Sequence, residues 1–67
     1  MANFKMIMVI YFKSGRVGYF QQLGGLGGFA WTEIRSRAKD VLYDDVEFLK
    51  HKVMENSNVD HVDFEKD

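Results

Sequence analysis

Apolar residues along this chain follow two rhythms. Over residues 4–13 the run FKMIMVIYFK is rich in β-branched and aromatic side chains, and both of its alternating sets are mostly apolar. That pattern predicts a strand covered on both faces. Ser14-Gly15 offers a two-residue turn and VGYFQQL reads as a returning strand, so a hairpin is expected over about residues 3–23. Pairing Lys13 with Arg16 sets Phe12 against Val17, Tyr11 against Gly18, Ile10 against Tyr19 and Val9 against Phe20. One face then gathers Phe4, Met6, Met8, Ile10 and Phe12 with Val17, Tyr19 and Leu23. The other holds Lys5, Ile7, Val9, Tyr11 and Lys13 beside Arg16, Gly18, Phe20 and Gln22, with Tyr11 lying over the bare Gly18.

The second rhythm is helical. Trp31, Ile34, Ala38, Val41 and Leu42 recur at a spacing near 3.6, with Glu33, Arg37, Lys39 and Asp40 off the stripe, which predicts an amphipathic helix over about 30–43. Trp31 would anchor it to the hairpin. The stretch that joins the two, GRVGYFQQLGGLGGFAWTEI, contains four glycines within residues 24–28. Gly25-Leu26-Gly27-Gly28-Phe29-Ala30 formally matches G-x-G-x-x-A, and Asp44 and Asp45 follow at roughly the distance of a ribose-binding acid. The preceding strand would be a hairpin arm, however, and a chain this short lacks room for a doubly wound sheet, so a hinge onto the sheet is the expected use. No nucleotide or other cofactor is expected.

Beyond Tyr43, Asp44 and Asp45 supply N-cap candidates, Glu47 a capping-box acid, and Val46, Leu49 and Val53 one apolar face. A helix over 45–55 is preferred to a strand VEFLKHKV that would turn at Glu55-Asn56-Ser57-Asn58. The acidic segment 56–67 then ends the chain as a short strand or a tail. The expected fold is α+β within one small domain: an N-terminal antiparallel hairpin, a glycine-rich hinge, an amphipathic helix, a second short helix or hairpin, and a short C-terminal strand or tail.

Composition adds constraints. Sixty-seven residues enclose a single core, and with no cysteine there is no disulfide to reinforce it. Ten aromatic residues and four methionines exceed what one hairpin and one or two helices enclose, which predicts a homodimer or higher homo-oligomer. The apolar run 6–12 lacks the flanks of a signal peptide and falls well short of the ~20 residues that span a bilayer. A soluble cytoplasmic protein with no membrane partner is expected.

The net charge of −1 hides two poles. Lys5, Lys13, Arg16, Arg35, Arg37 and Lys39 face only Glu33 in residues 1–39, whereas residues 40–67 carry nine acids against three lysines. The poles either neutralise each other or meet charged partners.

Candidate chemistry is thin. Neither Ser14 nor Ser57 stands in a nucleophile motif, and His51 and His61 with Asp60 and Asp63 do not follow a metal-ligand spacing. No catalytic residue and no metal ligand are assigned, and an enzyme is not expected. The preferred function is a small interaction module, an inhibitor or adaptor that binds a larger protein through its apolar hairpin or acidic surface. Asp60, Asp63, Phe64, Glu65 and Trp31 are its candidate contacts: an extended C-terminal segment would show carboxylates beside Phe64, and Trp31 would be a hot spot. The alternative is a nucleic-acid platform of Lys5, Tyr11, Lys13, Arg16 and Phe20, where bases stack on rings and phosphates meet cations. A self-assembling structural subunit is the third reading.

Overall fold

Backbone pairing converges on one strand. The computed structural model describes residues 5–24 and 28–66. It contains β1 (Lys5–Phe12), β2 (Val17–Leu23), β3 (Phe29–Thr32), β4 (Asp40–Leu42), helix α1 (Val46–Met54) and β5 (Val59–Lys66), with 3-10 turns at Arg35–Arg37 and Tyr43–Asp45. All strands join one curled antiparallel sheet. β5 runs along one edge of β1, from Met6↔Lys66 to Phe12↔Val59. The other edge is shared, by β2 over Val9–Tyr11 and by β4 over Lys5–Ile7. The expected cover on both faces of β1 is present, with Ile7, Met8, Val9 and Ile10 all buried.

Three expectations are corrected. The fold is mostly β with one short α-helix, and no helix spans 30–43. In that segment Phe29-Ala30-Trp31-Thr32 takes the strand form that its aromatic and β-branched residues allow, pairing Phe20↔Trp31 and Leu23↔Phe29. The helical stripe was a coincidence of spacing: Val41 is buried, but Ile34 and Leu42 stand about half exposed. Two sheet edges with unmet amide groups compete for this stretch, and tertiary pairing outweighs a weak local preference.

The second correction is the register of the hairpin. Phe12 donates its N–H to the Arg16 carbonyl, and its own carbonyl accepts from Gly15 N–H, both at 2.9 Å. The loop therefore has three residues, Lys13 to Gly15, and Gly15 closes it at φ +94°. Val9 consequently faces Tyr19, not Phe20. A slip of one residue exchanges the faces of β2. Gly18 and Phe20 turn to the core side with Met8 and Ile10, and Val17 and Tyr19 join Val9 and Tyr11. Trp31, rather than Tyr11, occupies the space over Gly18, where a Cβ would fall inside its ring. Tyr11 stacks instead on His61, with centroids 4.4 Å apart.

Third, the glycines do not lead into a helix. Gly24 N–H donates to the Gly28 carbonyl at 2.7 Å, so the run bridges β2 and β3 as a second hairpin connection. The hinge geometry proposed for residues 25–27 lies outside the described residues.

α1 falls within the expected 45–55 span, although it winds directly out of the 3-10 turn with no side-chain cap bond. Acids at its start and His51 and Lys52 near its end suit the helix dipole. Its Val53 joins Met8, Ile10, Phe20, Val41 and Val59 in the core, with Val46 and Leu49 packed against them. On the other sheet face the Arg35–Arg37 turn crosses β1. Gln21 Nε2 donates to the Arg37 carbonyl on the β2 side, and Arg35 Nε lies 3.3 Å from Glu65 Oε1 on β5. Among the described residues no helix is long and apolar enough to cross a membrane.

Three glycine substitutions test this packing by urea denaturation. Gly18→Ala should destabilise by about 1–3 kcal/mol, since the Trp31 ring must move. Gly15→Ala should cost about 1 kcal/mol or more through its positive φ. Gly28→Ala meets nothing within 4 Å and should be neutral or stabilising by up to ~1 kcal/mol.

Candidate functional site: an aromatic cleft with a cationic rim

The curl leaves an opening at the turn end of the first hairpin. A cleft of about 340 Å³ lies there, lined by Phe12, Lys13, Ser14 and Arg16 from the hairpin, by Phe29 and Trp31 from β3, and by Asn56 and Asn58 from the α1–β5 turn. Strand periodicity explains part of the set: Phe29 and Trp31 are two apart on β3 and share a face. Phe12 and Trp31 touch ring to ring, with centroids 4.6 Å apart and planes tilted by 47°. The absent Cβ of Gly18 lets Trp31 lie low enough to serve both the core and the cleft.

Hydrogen bonds fix the opposite wall. Lys13 N–H donates to the Asn58 carbonyl at 2.8 Å, which ties the hairpin turn to the α1–β5 turn. Asn58 N–H donates to Asn56 Oδ1 at 2.8 Å, and Val59 N–H to the Asn56 carbonyl at 3.1 Å. With its oxygen so engaged, Asn56 has its side-chain N–H groups left for a ligand. Arg16 Nε lies 3.6 Å from Glu33 Oε2, both side chains more than 60% exposed, a pair worth at most a few tenths of a kcal/mol to stability. The Lys13 ammonium has no carboxylate partner among the described residues. The lining therefore combines three rings, two exposed cations, a hydroxyl and two carboxamides, with no carboxylate.

The candidate residues from sequence divide among several places. Lys13, Arg16 and Trp31 meet in the cleft. Lys5 is exposed at the start of β1, Tyr11 is on the outer face against His61, and Phe20 is buried in the core. Phe64 packs against the core from β5, while the acids of that strand are locally engaged. Glu65 meets Arg35, Asp60 Oδ2 lies 2.7 Å from His61 Nδ1, and Asp63 accepts from the Phe64 N–H. His51 is on α1, 3.8 Å from Glu55, and no group of three metal-ligating side chains forms among the described residues.

Phe12, Phe29, Asn56 and Asn58 were missed from sequence. The first falls on the more apolar face of the expected hairpin, and the second lies between the expected glycine loop 24–28 and the expected helix over about 30–43. For the asparagines, the available signal was the Asn-Ser-Asn turn, whose amides face the hairpin only once β5 lies beside β1.

Trp31 is the sole tryptophan, so its fluorescence reports on this cleft directly. Each normalised to its quenching of free N-acetyltryptophanamide, iodide should be roughly twice as effective as caesium after screening, and Lys13→Gln with Arg16→Gln should erase that preference. Equal normalised quenching by both ions in the parent would refute this rim electrostatics. Compared with family models, curated proteins and solved structures, the chain matches none, so the function of the site is argued from its geometry.

Proposed function

We propose that this chain is a non-enzymatic interaction module that docks onto a larger protein through the cleft at the turn end of its first hairpin. The observation that carries the proposal is the cleft itself. Three rings packed against the core remain partly exposed around a concave opening, with arginine and lysine on its rim. Tryptophan and arginine beside a pocket are the residue types that dominate protein interfaces, and a concave aromatic floor suits a protruding apolar side chain. The lining has no imidazole, carboxylate or thiol to exchange a proton near neutral pH, which favours binding over catalysis.

One observation favours the nucleic-acid reading as the second choice: Lys13, Arg16 and Trp31 stand together, a ring for a base and cations for phosphate. It asks more of the surroundings. Glu33 already competes for Arg16, and Glu55 and Asp60 flank the asparagine turn where a continuing strand of phosphates would run.

A photoreactive residue placed at Ser14 in the full chain tests the proposal in extracts of cells that make it. A discrete protein adduct that is absent when the same group replaces exposed Lys50, and that is lost with Lys13→Gln and Arg16→Gln, is the expected result. A nuclease-sensitive adduct would decide for single-stranded nucleic acid, with an affinity that falls with salt at a log–log slope of about −1.4 for two phosphate contacts. Adducts only between copies of this chain, matched by a dimer in sedimentation, would decide for self-assembly.

A further inference from the structure

We infer that the cleft receives an extended acidic peptide, which adds as a further strand to the open edge of β3; this rests on the proposed protein-docking function and names the partner chemistry. Among the described residues β3 pairs with β2 alone, at the end of the strand order β3-β2-β1. Its other edge presents backbone N–H and C=O groups to whatever lies beside it. Phe29 and Trp31 project from one face of β3 into the cleft, which Asn56 and Asn58 line from the α1–β5 turn, so a strand added along that edge would set alternate side chains beside the two rings. Its main chain would bond to β3.

Register places the charges. β2 and β3 are antiparallel with Tyr19↔Thr32, so the end of β3 adjoins the start of β2, and Arg16 reaches Glu33 there. Lys13 and Arg16 therefore rim the Trp31 end of the cleft, whereas Phe29 lies at the other. The complementary peptide carries an apolar side chain over Phe29 and a carboxylate two residues away, facing the cations. Its carboxylate also displaces Glu33 from Arg16, exchanging a loose exposed pair for one partly shielded by the rings. A nucleic-acid strand has no main-chain amides to satisfy the β3 edge, which is why a peptide is favoured.

Titrations of the full-length protein, followed by Trp31 emission, test this with acetylated, amidated threonine-rich peptides. Each has glutamate two residues from one of several apolar residues (leucine, valine, phenylalanine or methionine). At least one should shift the emission saturably, and its lysine-for-glutamate counterpart should bind about tenfold more weakly or not at all, as should the pairing with Lys13→Gln, Arg16→Gln protein. Two N-methylated versions decide the strand geometry, because successive amides point to opposite sides. Methylation in one phase should weaken binding by about tenfold, through the loss of edge hydrogen bonds, and in the other should be tolerated. Equal effects of both phases would overturn strand addition, and equal binding of the lysine peptide would overturn the acidic partner. Silence from every peptide, with the Ser14 protein adduct still present, would reject this inference while leaving the proposed function standing. Saturable binding of oligothymidylate in place of any peptide would remove both.

Discussion

Strand β1 has two edges and three partners, and the remainder of the sheet follows from how they share it. β5 takes one edge along most of its length. On the other, β2 is in register only through Tyr19, beyond which it leaves β1 and frees Lys5–Ile7 for β4. The departure is stabilised at Phe20, whose carbonyl accepts the Lys39 N–H while an irregularity between Phe20 and Gln22 shifts the pairing with β3. A bulge at such a point increases local twist. The sheet curls there, and its two ends approach without pairing.

That curl produces both the core and the opening. Inside it, Met8, Ile10, Phe20, Val41, Val53 and Val59 are shut from water, each large side chain contributing on the order of 1.5–3 kcal/mol of burial. At the turn end of the hairpin, β3 and the α1–β5 turn stand on opposite sides of a space that neither fills. Trp31 belongs to both regions. Its ring rests on Gly18 and against Phe12, at the border of the core, so the shape of the cleft is tied to the stability of the fold.

Much of β1 was legible in the sequence because its signal is redundant: apolar residues on both faces admit few other readings. α1 was legible for a similar reason, with Val46, Leu49 and Val53 supported by the acids before them. The register of the first hairpin was not, since it turns on whether Lys13 counts as strand or loop, and the sequence KSGR fits both lengths. The false helix over 30–43 has a further cause. Five residues of Trp31, Ile34, Ala38, Val41 and Leu42 mimic a helical stripe, but what fixes their conformation is the unpaired edges of β2 and β1, which are remote in sequence. The cleft inherits that limit. Its cations and its tryptophan were each singled out, yet their meeting depends on β3 being a strand and on Lys13 bonding to Asn58, contacts made only by the assembled sheet.

Folding also resolves the two charge poles unequally. Arg35 crosses β1 to reach Glu65 and so joins the basic half of the chain to the acidic one. Asp60 and Asp63 are engaged by His61 and by the backbone of Phe64, which leaves β5 with less unsatisfied acidity than its sequence suggests. The hairpin turn is different, for Lys13 has no carboxylate partner among the described residues and Arg16 keeps only a loose, solvent-exposed partner in Glu33. Such a pair holds its geometry weakly and is screened by salt, so its replacement by a carboxylate within an aromatic enclosure loses little and gains a less hydrated contact. The same opening of the sheet that leaves Phe29 and Trp31 partly exposed thus also places two exposed cations beside them, and the two features together bear on the proposed ligand.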